Sequence, residues 1–344
     1  MERRSFFQAI LGGTAAIFGS KLAMATTSAP MGLSLPKTIV TSYVSPETTE
    51  QINLLSTLLQ TPLGRQQLAL SLGPAIRRRR DYMSLVRKAF CVVDGDSVSS
   101  LNDFNLYAIS PTVGGFRFRT EGAKGIKATL PTSQISSNVV FPFKHVENRR
   151  FDLVARAINL GRAEVVAAEN SQMFTLMDAV VEEDIEFGCY FLTEARYELS
   201  RKGVAKANLI FANPFDATEI LKIGHRVNYD PNCTRITLKT GLLGYVDGVG
   251  LYQSRSVPKG YMYVTGETDP TRVEDGLDDA VYAGYVADKA KLSVTSYDPS
   301  HGWSTIPSER HFGFILSEET GFAINPDAVQ RVSMKEWKGT GWNV

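Results

Sequence analysis

Side chains able to do chemistry are thinly spread in this chain. None of the four histidines, His145, His225, His301 and His311, has a second ligand-type side chain two, three or four residues away in a recognisable metal pattern. Each therefore reads as a surface or hydrogen-bonded histidine rather than a ligand or a base. Asp94-Gly-Asp96 opens like a calcium loop, but oxygen ligands do not continue at alternate positions as an EF-hand requires, so a turn is expected. The run from Gly244 to Gly250 holds Asp247 and no lysine, which suits a hairpin and not a phosphate cradle. No G-x-x-x-x-G-K-[ST], G-x-S-x-G or H-E-x-x-H occurs, and no G-x-G-x-x-G stands at a strand-to-helix junction. Cys91, Cys189 and Cys233 are odd in number, far apart and form no C-x-x-C; they are expected as small buried hydrophobes in a reducing compartment. The residues thus point away from an enzyme and imply no cofactor and no metal.

Charge is the more informative chemistry. The net charge is +1, which argues against wholesale coating of nucleic acid or attachment to a membrane. Beyond the first few dozen residues no apolar run reaches the ~18–20 residues of a membrane span. Locally the balance is uneven. Residues 77–150 carry 13 basic and 6 acidic side chains, while residues 162–200 carry 2 basic and 9 acidic. Arg77, Arg78, Arg79 and Arg80 stand in a row, as a contact for DNA or an acidic scaffold or as a solvated or interface-facing stretch; four consecutive residues of a helix point in all directions. The segregation means either pairing within the chain or complementarity between copies.

The elements that must position these residues follow from periodicity. Arg3-Arg4, Phe6, an apolar run and Ala23-Met-Ala25 read as a twin-arginine export signal, giving an exported periplasmic protein as one alternative. The preferred expectation is an amphipathic N-terminal arm that stays on the chain. Residues 26–46 read as an extended linker. Ser45-Pro46-Glu47 starts a helix, and Gly73-Pro74 is expected to break the helical run. Residues 85–148 read as a long two-stranded excursion, with Pro142 placing its last strand at an edge. Apolar residues from Phe151 to Val181 recur at steps of three, four and seven, predicting one helix of ~30 residues and ~45 Å within 150–187. Gly188 ends that signal, and a shorter helix follows from Tyr190 to Arg201, stopping at Gly203. Residues 205–310 alternate short strands, turns and brief helices. Residues 311–332 are expected as two strands joined at Glu318-Glu319-Thr320-Gly321.

Three phrases occur in fixed order behind the long helix: Asn208-Leu-Ile-Phe-Ala-Asn-Pro-Phe-Asp216, then Gly241 to Gly250 with Ser256-Val-Pro-Lys-Gly-Tyr261, then His311-Phe-Gly-Phe-Ile with Thr320-Gly-Phe-Ala-Ile-Asn-Pro-Asp327. With that helix they resemble the major capsid proteins of tailed phages, the Hong Kong ninety-seven fold, over roughly residues 85–344. The resemblance implies an α+β subunit with an N-terminal arm, a β-hairpin E-loop, a peripheral domain built on a spine helix, and an axial α/β domain. The implied segments are an arm with helices at 1–84, a β-rich segment with the E-loop at 85–148, a peripheral domain at 149–205, an axial domain at 206–310 and closing peripheral strands at 311–344. It implies self-assembly into hexamers and pentamers of an icosahedral shell around double-stranded DNA, held non-specifically. Portal, scaffolding and decoration proteins would be partners, no membrane would be involved, and assembly would occur in the host cytoplasm to give a virion capsid. An encapsulin-like shell around cargo is the other alternative. The basic excursion, Arg117, Arg119, Lys124 and Lys127, is expected to lie across an acidic surface of a neighbour formed by Glu182, Glu183, Asp184 and Glu186.

Overall fold

The structure, a computed structural model, describes residues 46–100, 105–110, 114–119, 126–147, 151–204, 206–222, 227–228, 241–267, 282–298 and 311–336. Helices are Pro46–Gln60 (α1), Pro62–Met83 (α2), Val86–Ala89 (α3), Lys144–Glu147 (α4), Phe151–Val180 (α5), Phe191–Arg201 (α6) and Pro214–Lys222 (α7). Strands are Cys91–Asp94 (β1), Ser97–Ser100 (β2), Asn105–Ser110 (β3), Gly114–Arg119 (β4), Ile126–Thr129 (β5), Ser133–Pro142 (β6), Asp184–Glu186 (β7) and Lys206–Ala212 (β8). They continue with Val227–Asn228 (β9), Leu242–Val246 (β10), Val249–Gln253 (β11), Tyr261–Glu267 (β12), Gly284–Tyr297 (β13), His311–Ile324 (β14) and Val329–Ser333 (β15). The chain is α+β, as the resemblance implied. The N-terminal arm lies outside the described residues.

Contacts divide the chain into two units. One comprises Met1–Ile76, Asn138–Gly161 and Ser293–Leu316. Its described core includes Phe141 and Phe312, whose rings lie 5.3 Å apart, with Phe314 edge-on to both. Arg65 joins this core, pairing with Asp298 at 3.5 Å and covering the Phe312 ring.

The other unit comprises Arg77–Ser137, Arg162–Leu292 and Ser317–Val344. It contains a seven-stranded sheet in the order β7-β15-β12-β8-β11-β10-β9. Strands β8 and β12 lie inside it and carry near-continuous buried runs, as strands covered on both faces should. Helix α5 sets Phe174 against Phe211 and Tyr263, with ring centroids 5.7 and 5.8 Å away. Val165, Val166, Met173 and Met177 continue the buried stripe at helical spacing. A second sheet runs β1-β13-β14-β3-β4, with β6 beside β14. The excursion consists of two antiparallel pairs, β2 with β5 and, nested between them in sequence, β3 with β4. Ala323 pairs with Ala108, which fastens β3 to β14.

Three expectations need correction. Helix α2 runs through Pro74. The proline removes one N–H and crowds the carbonyl a turn earlier, but Leu70 and Pro74 are both exposed, so water can take up the freed group. Leu68 and Leu72 are buried on the other side and hold the helix. Strand β14 also runs unbroken through Glu318-Glu319-Thr320-Gly321. Glu318 and Thr320 are buried there, and the strand is paired on both sides, so no turn forms. Third, the long helix has the expected length, 30 residues, but the helical signal does not carry on to 187: the helix stops at Val180, and Asp184–Glu186 instead pairs in parallel with Arg331, Val332 and Ser333. Arg331 reaches Asp184 at 2.6 Å and Asp178 at 2.5 Å, which draws this acidic segment into the sheet. Continuing the helix would have stacked carboxylates against its negative end.

Candidate assembly surface and buried charge cluster

The last turns of α2 sort the four arginines by direction. Arg77 is half-buried and donates to the Leu292 carbonyl at 3.2 Å. Arg78 and Arg79 are exposed. Arg80 is 1% exposed, and its guanidinium donates to the carboxylates of Glu169 (3.3 Å) and Glu318. Beside it, Arg87 on α3 grips Asp288 with two parallel bonds of 2.7 Å and also donates to Glu169 at 2.8 and 3.0 Å. Arg80 is thus corrected as a DNA or scaffold contact, because its charge is spent inside the subunit.

Two arginines and three buried carboxylates so tie α2, α3, α5, β13 and β14 together. Glu169 is 0% and Glu318 2% exposed. If both were ionised, Glu169 Oε2 and Glu318 Oε1 would have no donor. A proton on Glu318 supplies one. Burial, and then the neighbouring Glu169 charge, push the Glu318 carboxyl up to about 8 against the pull of Arg80 and Arg87. Burial opposes the charge of Arg87, but Asp288 and Glu169 outweigh it and raise its pKa.

Two of the sequence phrases lock onto each other. Buried Asn213 accepts the N–H of Phe215 at the start of α7 (3.2 Å) and donates to the Val257 carbonyl (2.9 Å). Asp216 accepts the N–H of Gly260 at 2.8 Å. Gly260 has φ +80°, a conformation that favours glycine. The Asn-Pro-Phe-Asp phrase therefore fixes the Val-Pro-Lys-Gly turn. It leaves Phe215 69% exposed, with the Lys259 ammonium 4.5 Å above its ring. The Gly244–Gly250 run is the expected hairpin: Asp247 (φ 49°) and Gly248 (φ 84°) form the turn between β10 and β11.

An acidic groove of about 780 Å³ lies beside the end of α5, bordered by Glu182, Glu183, Glu186, Glu194 and Glu198. Arg117 lies at its rim and pairs with Glu182 of the same chain at 3.3 Å, both side chains well exposed. Arg119 and Lys127 belong to β4 and β5, with side chains outside the described residues, as is Lys124. Tyr197 of the groove wall is also exposed.

The remaining candidates are placed as follows. His145 is half-buried and His311 exposed; His225, His301 and Cys233 lie outside the described residues. Cys91 is half-buried and Cys189 exposed, which corrects the expectation of burial for both. Among the described residues no helix is long and apolar enough to cross a membrane. Sequence reasoning missed Glu169, Asp288 and Glu318. The available signal was a glutamate four residues from both Val165 and Met173 on the α5 stripe.

No protein-family model matches the chain, and no curated protein matches it. Among solved structures it is similar to that of Microbacterium phage Oxtober96, with TM-score 0.48 and 11% identity over 73% of this chain and 91% of the other. It is similar to the virus-like particle of Pyrococcus furiosus, with TM-score 0.42 and 13% identity over 76% and 98%. It is also similar to the SrpI encapsulin of Synechococcus elongatus PCC 7942, with TM-score 0.40 and 12% identity over 72% and 85%.

Proposed function

We propose that the chain is a shell-forming subunit, the major capsid protein of a tailed phage, which associates with copies of itself into hexamers and pentamers around double-stranded DNA. The observation that carries this reading is the order of elements. A nested β excursion, a 30-residue helix, the strand and helix of the Asn-Pro-Phe-Asp phrase, the Asp-Gly hairpin and long closing strands follow one another as the sequence resemblance implies. Large apolar side chains left in water, among them Tyr190, Tyr197, Phe215 and Leu160, support a chain that associates. Of the arginine row, exposed Arg78 is left to meet DNA or a scaffold, and portal and decoration proteins complete the set of partners. The five segments at 1–84, 85–148, 149–205, 206–310 and 311–344 are its arm, E-loop region, peripheral, axial and closing parts. Assembly takes place in the host cytoplasm.

Expression of the full chain, followed by negative-stain microscopy and light scattering, tests the reading. Closed shells or capsomers are expected. A stable monomer of 37.8 kDa under every assembly condition sinks it. Shells that protect cargo protein rather than nuclease-resistant DNA move it to an encapsulin-like compartment.

A further inference from the structure

Among the described residues of one copy, Arg162 and several acids of the groove stand without a partner of opposite charge. The first place is Arg162 on α5. It occupies the buried stripe, four residues from Ile158 and three from Val165, and is 7% exposed. Its Nε has no hydrogen-bond partner. Burial pushes the guanidinium down to about 10, and the second influence on it is another cation, Arg79, exposed on α2. No carboxylate among the described residues offsets the pair. A buried cation without an anion is costly and is normally matched.

The second place is the acidic groove. Glu182, Glu198 and Asp184 have cation partners in Arg117, Arg201 and Arg331. Glu183, Glu186 and Glu194 have none among the described residues. The last turn of α5 carries no basic residue, so these acids also face the negative end of the helix dipole uncompensated.

The two surpluses cannot cancel inside one copy. Arg162 precedes Val180 by 18 residues of continuous helix, about 27 Å along the axis and far beyond salt-bridge reach. Opposite charges separated in this way, with Arg162 on α5 and the acids beyond its last residue, suit a head-to-tail contact, in which each copy offers its acids to the next copy's cations. We propose that Arg79 and Arg162 of one copy receive carboxylates of a second copy, drawn from Glu183, Glu186 and Glu194 at the groove edge. Arg79 recruits the carboxylate, and the open sliver of Arg162 supplies the second cation as water is expelled. This rests on the shell reading, and it is a different contact from the one expected of the basic excursion.

The test uses the full chain, with the assembled fraction measured by sedimentation velocity from about 0.1 to 1 M salt. Arg162→Met should melt no lower than wild type, because it removes an uncompensated charge, yet its assembled fraction at low salt should fall about tenfold or more. Arg79→Glu should also lose assembly, and adding Glu183→Lys with Glu194→Lys should restore it. Arg162→Met assembling like wild type, with the same salt dependence, overturns the proposal. A marked fall in its melting temperature also overturns it, because the cation would then be satisfied within the subunit. So does a defect that appears only when DNA is supplied, since the acceptor would then be phosphate. Wild type that never assembles ends the shell reading itself and this contact with it.

Discussion

Glu318 is held by two opposing demands: β14 buries it, and Arg80 would have it charged. Burial wins, and the carboxyl stays protonated up to about 8. Below the ordinary carboxylate range both the folded and the unfolded chain hold that proton. Between there and about 8 only the folded chain does, so this group's contribution to stability falls as pH rises through the window. Chemical denaturation at steps of pH should show the decline. Glu318→Gln, which mimics the protonated acid, should flatten it and leave the variant more stable than wild type by roughly 1–3 kcal/mol above pH ~8. An unchanged slope would place the titrating proton elsewhere. The cluster was not legible in the sequence. Arg80 is 89 residues from Glu169 and 238 from Glu318, and no local pattern links such positions. The four arginines advertised a surface, while one of them had been folded inside.

At the scale of elements, α5 depends on its stripe. Met177 is fully buried against the seven-stranded sheet's side of the helix, near the Phe174–Tyr263 stack. Met177→Asp should cost several kcal/mol, comparable with a domain's whole stability of ~5–15 kcal/mol, and yield insoluble or unfolded protein. Normal folding of this variant would show that the stripe faces no core. The Asn213 lock is a subtler device. Asn213→Ala removes the α7 cap and the grip on Val257, and should cost about 1–2 kcal/mol. Hydrogen exchange should then speed up at residues 254–260 before it does elsewhere in the sheet. The sequence made α5 and the Asp-Gly hairpin legible because each is encoded locally, one by a repeating stripe and the other by two adjacent turn residues. It misplaced the breaks at Gly73-Pro74 and Glu318–Gly321 because tertiary burial overrode local turn chemistry there. The strand Asp184–Glu186 was lost to the helix signal because its reason for existing, Arg331, lies at the far end of the chain.

For the whole molecule, weak exposed contacts would matter through repetition on the proposed shell reading. The Arg117–Glu182 pair is worth only ~0–1 kcal/mol within one chain, so it can be exchanged for the same pair between neighbours at little cost. Reversing Arg117 and Arg119 to Glu should slow or misdirect assembly without lowering the subunit's melting temperature. Reversing Glu182 and Glu183 to Lys in the same chain should partly restore it, and salt near 1 M should blunt both effects. Wild-type assembly by the first variant at low salt would make the pairing purely internal. The topology carries one more consequence. β14 and β15 belong to the interiors of the two large sheets, and of the described strands they are made last. Ala108 must wait for Ala323. At ~5–20 residues per second, the intervening stretch takes roughly 10–40 s to leave the ribosome. A polypeptide released early therefore has neither sheet complete. Fragments ending before residue 311 should be recovered unfolded and protease-sensitive, and should fail to poison assembly when mixed with intact chains. On the proposed shell reading, truncated translation products would be screened out before they could compete for a place in a particle, because a chain lacking β14 and β15 completes neither sheet.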